Sequence, residues 1–355
     1  MRARLAAVPH VGVIVIVSAS VRVSAIVGVF AFACALALSL LPACVVAQPG
    51  AGTTAGDDAA SALAAPGPVP RLVAPGEVST GDDECHPTLS PDGRTLYFLR
   101  DTPSFDLYTI VETERQGGHW SRPRTVPFSG QWPDGDLSFA PGGRVAFFVS
   151  SRPVDGQPRT DTEIWSIARA ADGTWGEPRH EADLSSPADE WFPVVVADGS
   201  IYFGSGRPGG AGGSDIWRAP PREGGFGPPV NAGAPINSAG DEIEAWVDRD
   251  ETFMVFSAKG RTDSLGSYDL YVARRVDGLW QPPSHPGAPL NSKGWDFGPR
   301  VSPDGAVFFF ASNRGFGGEP LPARLTYDEL EKRLHAPGNG LRDIYEVDAA
   351  AIRPR

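Results

Sequence analysis

The feature that most constrains the fold is a phrase that recurs along the chain. Its clearest copy has the turn Ser302-Pro303-Asp304-Gly305, the apolar run Val307–Phe310, the loop Ser312-Asn313-Arg314 and a strand-like start at Asp343-Ile344-Tyr345. The last element has four earlier copies, which are Asp106-Leu107-Tyr108, Glu163-Ile164-Trp165, Asp215-Ile216-Trp217 and Asp269-Leu270-Tyr271. Self-similarity at a spacing of several tens of residues indicates stacked supersecondary units. The chain is therefore predicted to be a repeat protein with five units.

Each unit has the pattern of four short strands. A turn such as Pro91-Asp92-Gly93 joins the first two, and Asp-Gly between apolar runs is a strong hairpin signal. The fourth strand starts with an aromatic residue followed by proline, in the segments 120–123, 175–178, 226–229 and 280–283. Proline within a sheet is tolerated mainly at an edge, so this strand is expected to be outermost. Four short strands per unit predict an all-β propeller of four-stranded blades.

The ends of the chain predict how the propeller closes. No aromatic-proline strand follows the fifth unit, whereas Pro70-Arg71-Leu72-Val73 near the N-terminus is similar to Pro123-Arg124-Thr125-Val126. Pairing the first and last strands in one blade removes an open sheet edge. We therefore predict a five-bladed propeller over residues 70–353, closed by an N-terminal strand and preceded by a flexible linker at residues 48–69.

The last unit carries an insertion at residues 316–340. Thr326 and Glu329 form the pattern of a helix capping box, and Leu330 with Leu334 gives the helix an apolar face. Long insertions on a rigid scaffold are often functional.

The N-terminus predicts export. Residues 1–47 hold three arginines, no acid and an apolar run, which is typical of a signal peptide. Two processing patterns stay open. Leu41-Pro42-Ala43-Cys44 resembles a bacterial lipobox that would place a lipid anchor on Cys44, whereas Val45-Val46-Ala47 suits release of a soluble protein. Either way we expect the protein in the periplasm or at the outer membrane.

The formal net charge of −12 argues against binding nucleic acid, where neutralised phosphates supply much of the affinity.

Aligned repeats place charged residues at one mouth of the predicted channel. The acids at the starts of the innermost strands are Glu84, Asp134, Glu190, Asp296 and, beside Ile243 in the fourth unit, Glu242 and Glu244. The bases at the ends of the second strands are Arg100, Arg152, Arg207, Lys259 with Arg261, and Arg314. Four tryptophans lie near the same segments, namely Trp132, Trp191, Trp246 and Trp295. One interpretation is a charged, aromatic-lined funnel that binds a ligand. The other is an acid–arginine brace repeated in each blade, which the repetition favours.

The sequence gives weak support for a catalytic or metal-binding site. Nothing marks one funnel acid as a proton donor and another as a nucleophile or base, so we expect no enzyme and no catalytic residue. The six histidines lack ligand spacing for zinc, and we expect neither a metal nor a cofactor. Cys85 and His86 are neighbours, but adjacent strand residues point to opposite faces, so Cys85 is expected to be a packed thiol.

The turn Ser90-Pro91-Asp92-Gly93 with Leu96-Tyr97-Phe98, and the fifth unit described above, resemble the WD40-like (PD40) β-propeller repeat of TolB-like bacterial envelope proteins. The resemblance implies an exported, non-enzymatic, monomeric scaffold that binds a protein partner or an envelope polymer. The alternative is a carbohydrate-binding or carbohydrate-hydrolysing propeller that uses the funnel acids and tryptophans.

Overall fold

The computed structural model describes residues 69–316 and 320–353. The predicted signal peptide with Cys44, and the predicted linker up to residue 68, lie outside the described residues. Across the two described ranges, none of the helices has the length and apolar character needed to cross a bilayer.

The described residues form five four-stranded antiparallel blades, as the repeats predict. Blade 1 contains Asp83–Leu89, Thr95–Asp101, Tyr108–Gln116 and Arg124–Thr125. Blade 2 contains Asp134–Phe139, Val145–Ser150, Glu163–Ala168 and Arg179–His180. Blade 3 contains Glu190–Val195, Ile201–Ser205, Asp215–Ala219 and Val230–Asn231. Blade 4 contains Asp241–Val247, Phe253–Lys259 and Asp269–Val276, with a bridge from Val272 to Ser284 in the outermost position. Blade 5 contains Asp296–Val301, Val307–Ser312, Asp343–Asp348 and the N-terminal Arg71–Leu72.

Short hairpin strands extend the third strands of three blades. They are His119–Trp120 in blade 1, the pair Pro221–Arg222 and Gly225–Phe226 in blade 3, and Leu279–Trp280 in blade 4. The outermost pairing begins directly after the aromatic-proline segment, at Arg124, Arg179, Val230 and Ser284. The prolines therefore stand ahead of the edge strand, where no ladder hydrogen bond is lost.

The N-terminal strand closes the propeller as predicted. Arg71 pairs with Glu346 and Leu72 with Tyr345, and the Val73 N–H then donates to the Ile344 carbonyl at 2.9 Å. Arg342 reinforces the junction between blades 5 and 1, because its guanidinium contacts both oxygens of Asp83 at 2.5 and 2.9 Å.

Aromatic side chains between blades hold neighbouring sheets together. Trp175 of blade 2 packs against Tyr97 of blade 1, with ring centroids 6.0 Å apart. Phe226 packs against Phe147 and Trp280 against Tyr202 at the next two junctions. The aromatic residues at the starts of the outer segments are therefore wedges between blades.

One repeat register predicted from the sequence is wrong. In blades 2 to 5 the residue after the strand-three acid is a buried isoleucine or leucine, for example Ile164 opposite Val149. In blade 1 the residue in that position is Ile110, opposite Leu99, so the equivalent triplet is Thr109-Ile110-Val111. Asp106-Leu107-Tyr108 matches the motif by composition, but it precedes the strand proper, and Leu107 is exposed.

The predicted insertion connects the second and third strands of blade 5. It contains the helix Tyr327–Leu334, and the Thr326–Glu329 capping box is formed as predicted. No helix residue is buried, and Tyr327, Leu330 and Leu334 are all exposed. The insertion is anchored by Asn339, whose amide nitrogen donates to the Gly81 carbonyl at 3.0 Å. A 3₁₀ turn at Ala349–Ala351 follows the last strand.

Candidate functional site: the channel pocket

The five acids that the funnel interpretation places at an open channel mouth are buried in ion pairs. Each contacts one arginine of its own blade, in the pairs Glu84–Arg100 (3.1 Å), Asp134–Arg152 (2.7 Å), Glu190–Arg207 (2.9 Å), Glu242–Arg261 (2.8 Å) and Asp296–Arg314 (2.7 Å). The side chains of all five acids are fully buried. The contacts support the interpretation that the repetition favours, an acid–arginine brace in each blade, over a ligand-exposed ring, because a fully buried carboxylate that is paired with arginine cannot contact a ligand.

The arginines are also packed rather than free. The Arg314 guanidinium lies 4.7 Å from the Tyr345 ring centroid, and the Arg207 guanidinium lies 4.7 Å from that of Phe203. In blade 4 the ion pair joins Glu242 to Arg261. The aligned repeats place Ile243 in the acid column and offer Lys259 as a second base, and neither residue is part of this pair. We call these five acid–arginine pairs the braces and their acids the brace acids. Each brace fixes the start of an innermost strand to the end of the second strand of the same blade.

Among the predicted tryptophans, Trp191 and Trp295 reach the channel mouth. Trp132 instead lies beside the Arg152 guanidinium, which is 5.5 Å from its ring centroid. Trp246 packs with Phe253, with ring centroids 5.4 Å apart, near the opposite end of the innermost strand. Only the first two tryptophans therefore belong to a common site.

Burial shifts the titration of several braced acids. It raises the pKa of Glu84 and of Glu190 from 4.5 to about 7, even though hydrogen bonds and arginine oppose the shift. Burial likewise raises the pKa of Asp101 and of Asp343 to about 6. The folded chain therefore binds more protons than the unfolded chain between the ordinary carboxyl range and neutrality.

This difference predicts that stability falls as pH rises. Because the unfolded acids lose their protons first, the free energy of unfolding should decline between about pH 5 and pH 8. Thermal unfolding at constant ionic strength across that range measures it. Glu190→Gln should reduce the slope, since it removes one shifted group. A melting temperature that rises from the acidic to the neutral end would contradict the prediction.

Two residues beyond each brace acid, every innermost strand is interrupted by a β-bulge. The bulge residues all have positive φ, namely His86 (50°), Asp136 (58°), Phe192 (53°), Glu244 (43°) and Gly298 (63°). Only glycine adopts this conformation freely, so four side chains are held in a costly backbone conformation. Bulges re-aim side chains, and strain of this kind clusters at functional sites.

The bulges bring three polar side chains together in the channel. His86 Nε2 lies 3.0 Å from Glu244 Oε1, and His86 Nδ1 lies 3.4 Å from Asp136 Oδ1. The second oxygen of each acid accepts a bulge N–H of the next blade, from Phe192 at 2.9 Å and from Gly298 at 2.7 Å. We refer to His86, Asp136 and Glu244 as the channel triad. It fixes two carboxylates from blades 2 and 4 on opposite sides of one imidazole.

Burial and charge tune this triad. Burial alone would lower the pKa of His86, but the carboxylates of Asp136 and Glu244 outweigh it and the net shift is upward. Burial raises the pKa of Asp136 above that of an ordinary aspartate. Arg300 lies deeper in the channel, and burial lowers its pKa to about 9. Perturbed titration of grouped residues in a cleft is typical of functional sites.

The bulge also changes the environment of Cys85. Its sulfur lies 3.2 Å from His86 Nδ1 and donates to Asp101 Oδ2 at 3.1 Å, although strand alternation predicted opposite faces. Burial raises the pKa of the Cys85 thiol. Cys85 is therefore a buried thiol, as expected, but it contacts the histidine. Over the described ranges, no set of three or more His, Cys, Asp or Glu side chains has the geometry of a metal site.

A pocket of about 370 Å³ lies above the channel triad. Its floor includes all three triad residues, and its walls are mainly aromatic, from Phe105, Tyr108, Trp191, Tyr268, Trp295 and Phe297. Asp241 and Ser214 add polar groups at the wall. Of the predicted site residues, Glu244, Trp191 and Trp295 are in this pocket. An apolar cavity with a few convergent polar groups is typical of small-molecule sites.

Comparison with known proteins finds no matching family model and no matching curated protein. Solved structures do match. They include an α-L-arabinanase from Penicillium chrysogenum (15% identity, 80% of this chain and 100% of that chain, TM-score 0.44). An α-L-arabinofuranosidase from Lactobacillus brevis has 15% identity over 76% of this chain and 91% of that chain, with a TM-score of 0.41. A puromycin-hydrolyzing peptidase from Mycobacterium tuberculosis has 14% identity over 64% of this chain, which spans only 34% of the peptidase, with a TM-score of 0.39.

The sequence led us to expect no enzyme, whereas the matched structures of this fold include hydrolases, among them glycosidases, so that expectation is not kept. Likeness at this level of identity shows the fold alone. The chemistry must therefore be argued from the channel pocket.

Proposed function

We propose that the channel pocket binds a carbohydrate and hydrolyses a glycosidic bond in it. The observation that carries the proposal is the aromatic-walled pocket with two carboxylates at its floor. Aromatic faces offer flat apolar surfaces to sugar rings, and glycoside hydrolysis uses a pair of carboxyl groups.

The imidazole of His86 sets the distance between the two carboxylates. Their oxygens contact opposite nitrogens of one ring, at 3.4 and 3.0 Å. Two such contacts and the ring width give a separation in the roughly 6.5–9.5 Å range of inverting glycosidases, above the roughly 5–5.5 Å of retaining ones. Because the imidazole lies between the two carboxylates, substrate and water reach them from the pocket side of the ring. The expected chemistry is therefore single displacement by water with inversion at the anomeric carbon.

Burial raises the pKa of Asp136, and we assign Asp136 as the general acid for the leaving oxygen. Glu244 is then the general base that takes a proton from the attacking water. His86 is a positioning residue, because it hydrogen-bonds Glu244 and lies against Asp136.

The first test is a hydrolysis screen. Purified protein is expected to release reducing sugar from at least one member of a panel of chromogenic furanosides and pyranosides and neutral oligosaccharides. Trp191→Ala should raise the KM for that substrate, because Trp191 lines the pocket without contacting the triad acids through a hydrogen bond. If the folded protein neither binds nor cleaves any panel member, the proposal fails.

A further inference from the structure

The pocket has walls on every side. All five blades contribute to its lining, through Tyr108, Val149, Trp191, Tyr268 and Trp295 among others. The short loop between the second and third strands of blade 1 adds Phe105, which has a positive φ of 58° and packs edge-on against Tyr108 with ring centroids 6.2 Å apart. A ligand can therefore enter the pocket from the mouth but finds aromatic walls around it.

The channel does not continue below the floor. The Arg300 guanidinium lies 3.7 Å from the Phe192 ring centroid, and Arg300 Nε donates to Thr88 Oγ1 at 3.0 Å. Arg300, Phe192 and Thr88 are all buried. These side chains fill the centre of the propeller directly beneath the channel triad, so a polymer cannot pass through it.

We propose that the pocket accepts only the end of a glycan chain, or a single-residue branch, and releases one terminal residue in each hydrolysis. This inference rests on the proposed function. The reactive carboxylates lie at the floor, so the scissile bond must reach the floor, and an internal bond would need two exits for the chain. The volume of about 370 Å³ lies at the small end of ligand pockets, which suits an end group rather than a long segment.

The reaction balances without any further reactant. The bond between the terminal anomeric carbon and the glycosidic oxygen breaks, and a water oxygen bonds to that carbon from the opposite face. Asp136 gives its proton to the departing oxygen, and Glu244 takes one from the water. Return of that proton to Asp136 through solvent restores the resting state.

Linear hexasaccharides labelled with a fluorophore at the reducing end provide the test. Separation by size over time should show the labelled chain shortening by one residue at a time, with a monosaccharide as the unlabelled product. The same chains capped at the non-reducing end with a benzylidene group should lose cleavage altogether.

Two outcomes would overturn the inference in different ways. Early labelled fragments of intermediate length, or cleavage of the capped chain at the uncapped rate, would show internal cleavage while leaving hydrolysis in place. A lack of cleavage in every chain, including those shown to bind, would remove the proposed function as well.

Discussion

Replacing Arg342 with alanine is expected to lower the free energy of unfolding by about 3–5 kcal/mol, which is typical when one partner of a buried ion pair is removed. The Arg342 side chain is 4% exposed, and Asp83, its bidentate partner, is 3% exposed. The guanidinium also lies 3.6 Å from the Phe105 ring centroid and donates to the Thr102 carbonyl at 2.9 Å. The substitution leaves Asp83 buried without its cation.

The effect should be large because these contacts join blade 5 to blade 1. The Glu84 N–H donates to the Arg342 carbonyl at 2.8 Å, so the backbone and the side chain of this residue act at the same junction. Urea unfolding followed by tryptophan fluorescence measures the loss. If the alanine variant does not fold, Arg342→Lys, which keeps the charge but loses the fork geometry, is expected to show a smaller loss.

The closure offers a matched control. Arg71 pairs with Glu346 at 2.8 Å in the same blade, but its side chain is 80% exposed. Exposed ion pairs contribute about 0–1 kcal/mol, so Arg71→Ala should change stability little. An Arg342→Ala loss no greater than that of Arg71→Ala would contradict the role assigned to the buried junction.

Glu244→Gln is expected to lower kcat by roughly 10²–10⁴-fold, which is the usual contribution of general acid–base catalysis. The amide keeps the size of the side chain but cannot take a proton from water. The rate should be measured on the substrate found in the screen, at a temperature where thermal unfolding shows both proteins folded.

Glu242→Gln is the control, two residues away on the same strand. Glu242 is fully buried, contacts Arg261 and lies outside the pocket. It should lower the melting temperature while leaving kcat nearly unchanged. If the two substitutions reduce kcat equally, Glu244 has no catalytic role beyond structure.

The fold was predictable because the same pattern of strands and turns recurs in five repeats. Turn residues, aromatic-proline segments and the N-terminal strand all follow from local backbone and packing requirements that each blade meets in the same way. The register of blade 1 was not predictable by motif composition, since Asp106-Leu107-Tyr108 matches the other triplets while Ile110 occupies the buried position.

The channel triad was only partly predictable. Glu244 was named among the candidate residues, but His86 and Asp136 were missed because strand alternation does not anticipate a bulge. A signal was nevertheless present. The column two residues beyond the brace acids reads His, Asp, Phe, Glu and Gly, whereas the brace column is acidic in every blade. Positions that are the same in every repeat build the architecture, and positions that differ are free to form a site.

The most direct test of the catalytic pair is proton NMR of the first product formed from the cleaved substrate, recorded before mutarotation equilibrates its anomers. The separation of Asp136 and Glu244 across His86 predicts that the initial product has the anomeric configuration opposite to that of the substrate. A product that retains the substrate configuration would contradict single displacement by water with these two carboxylates as acid and base.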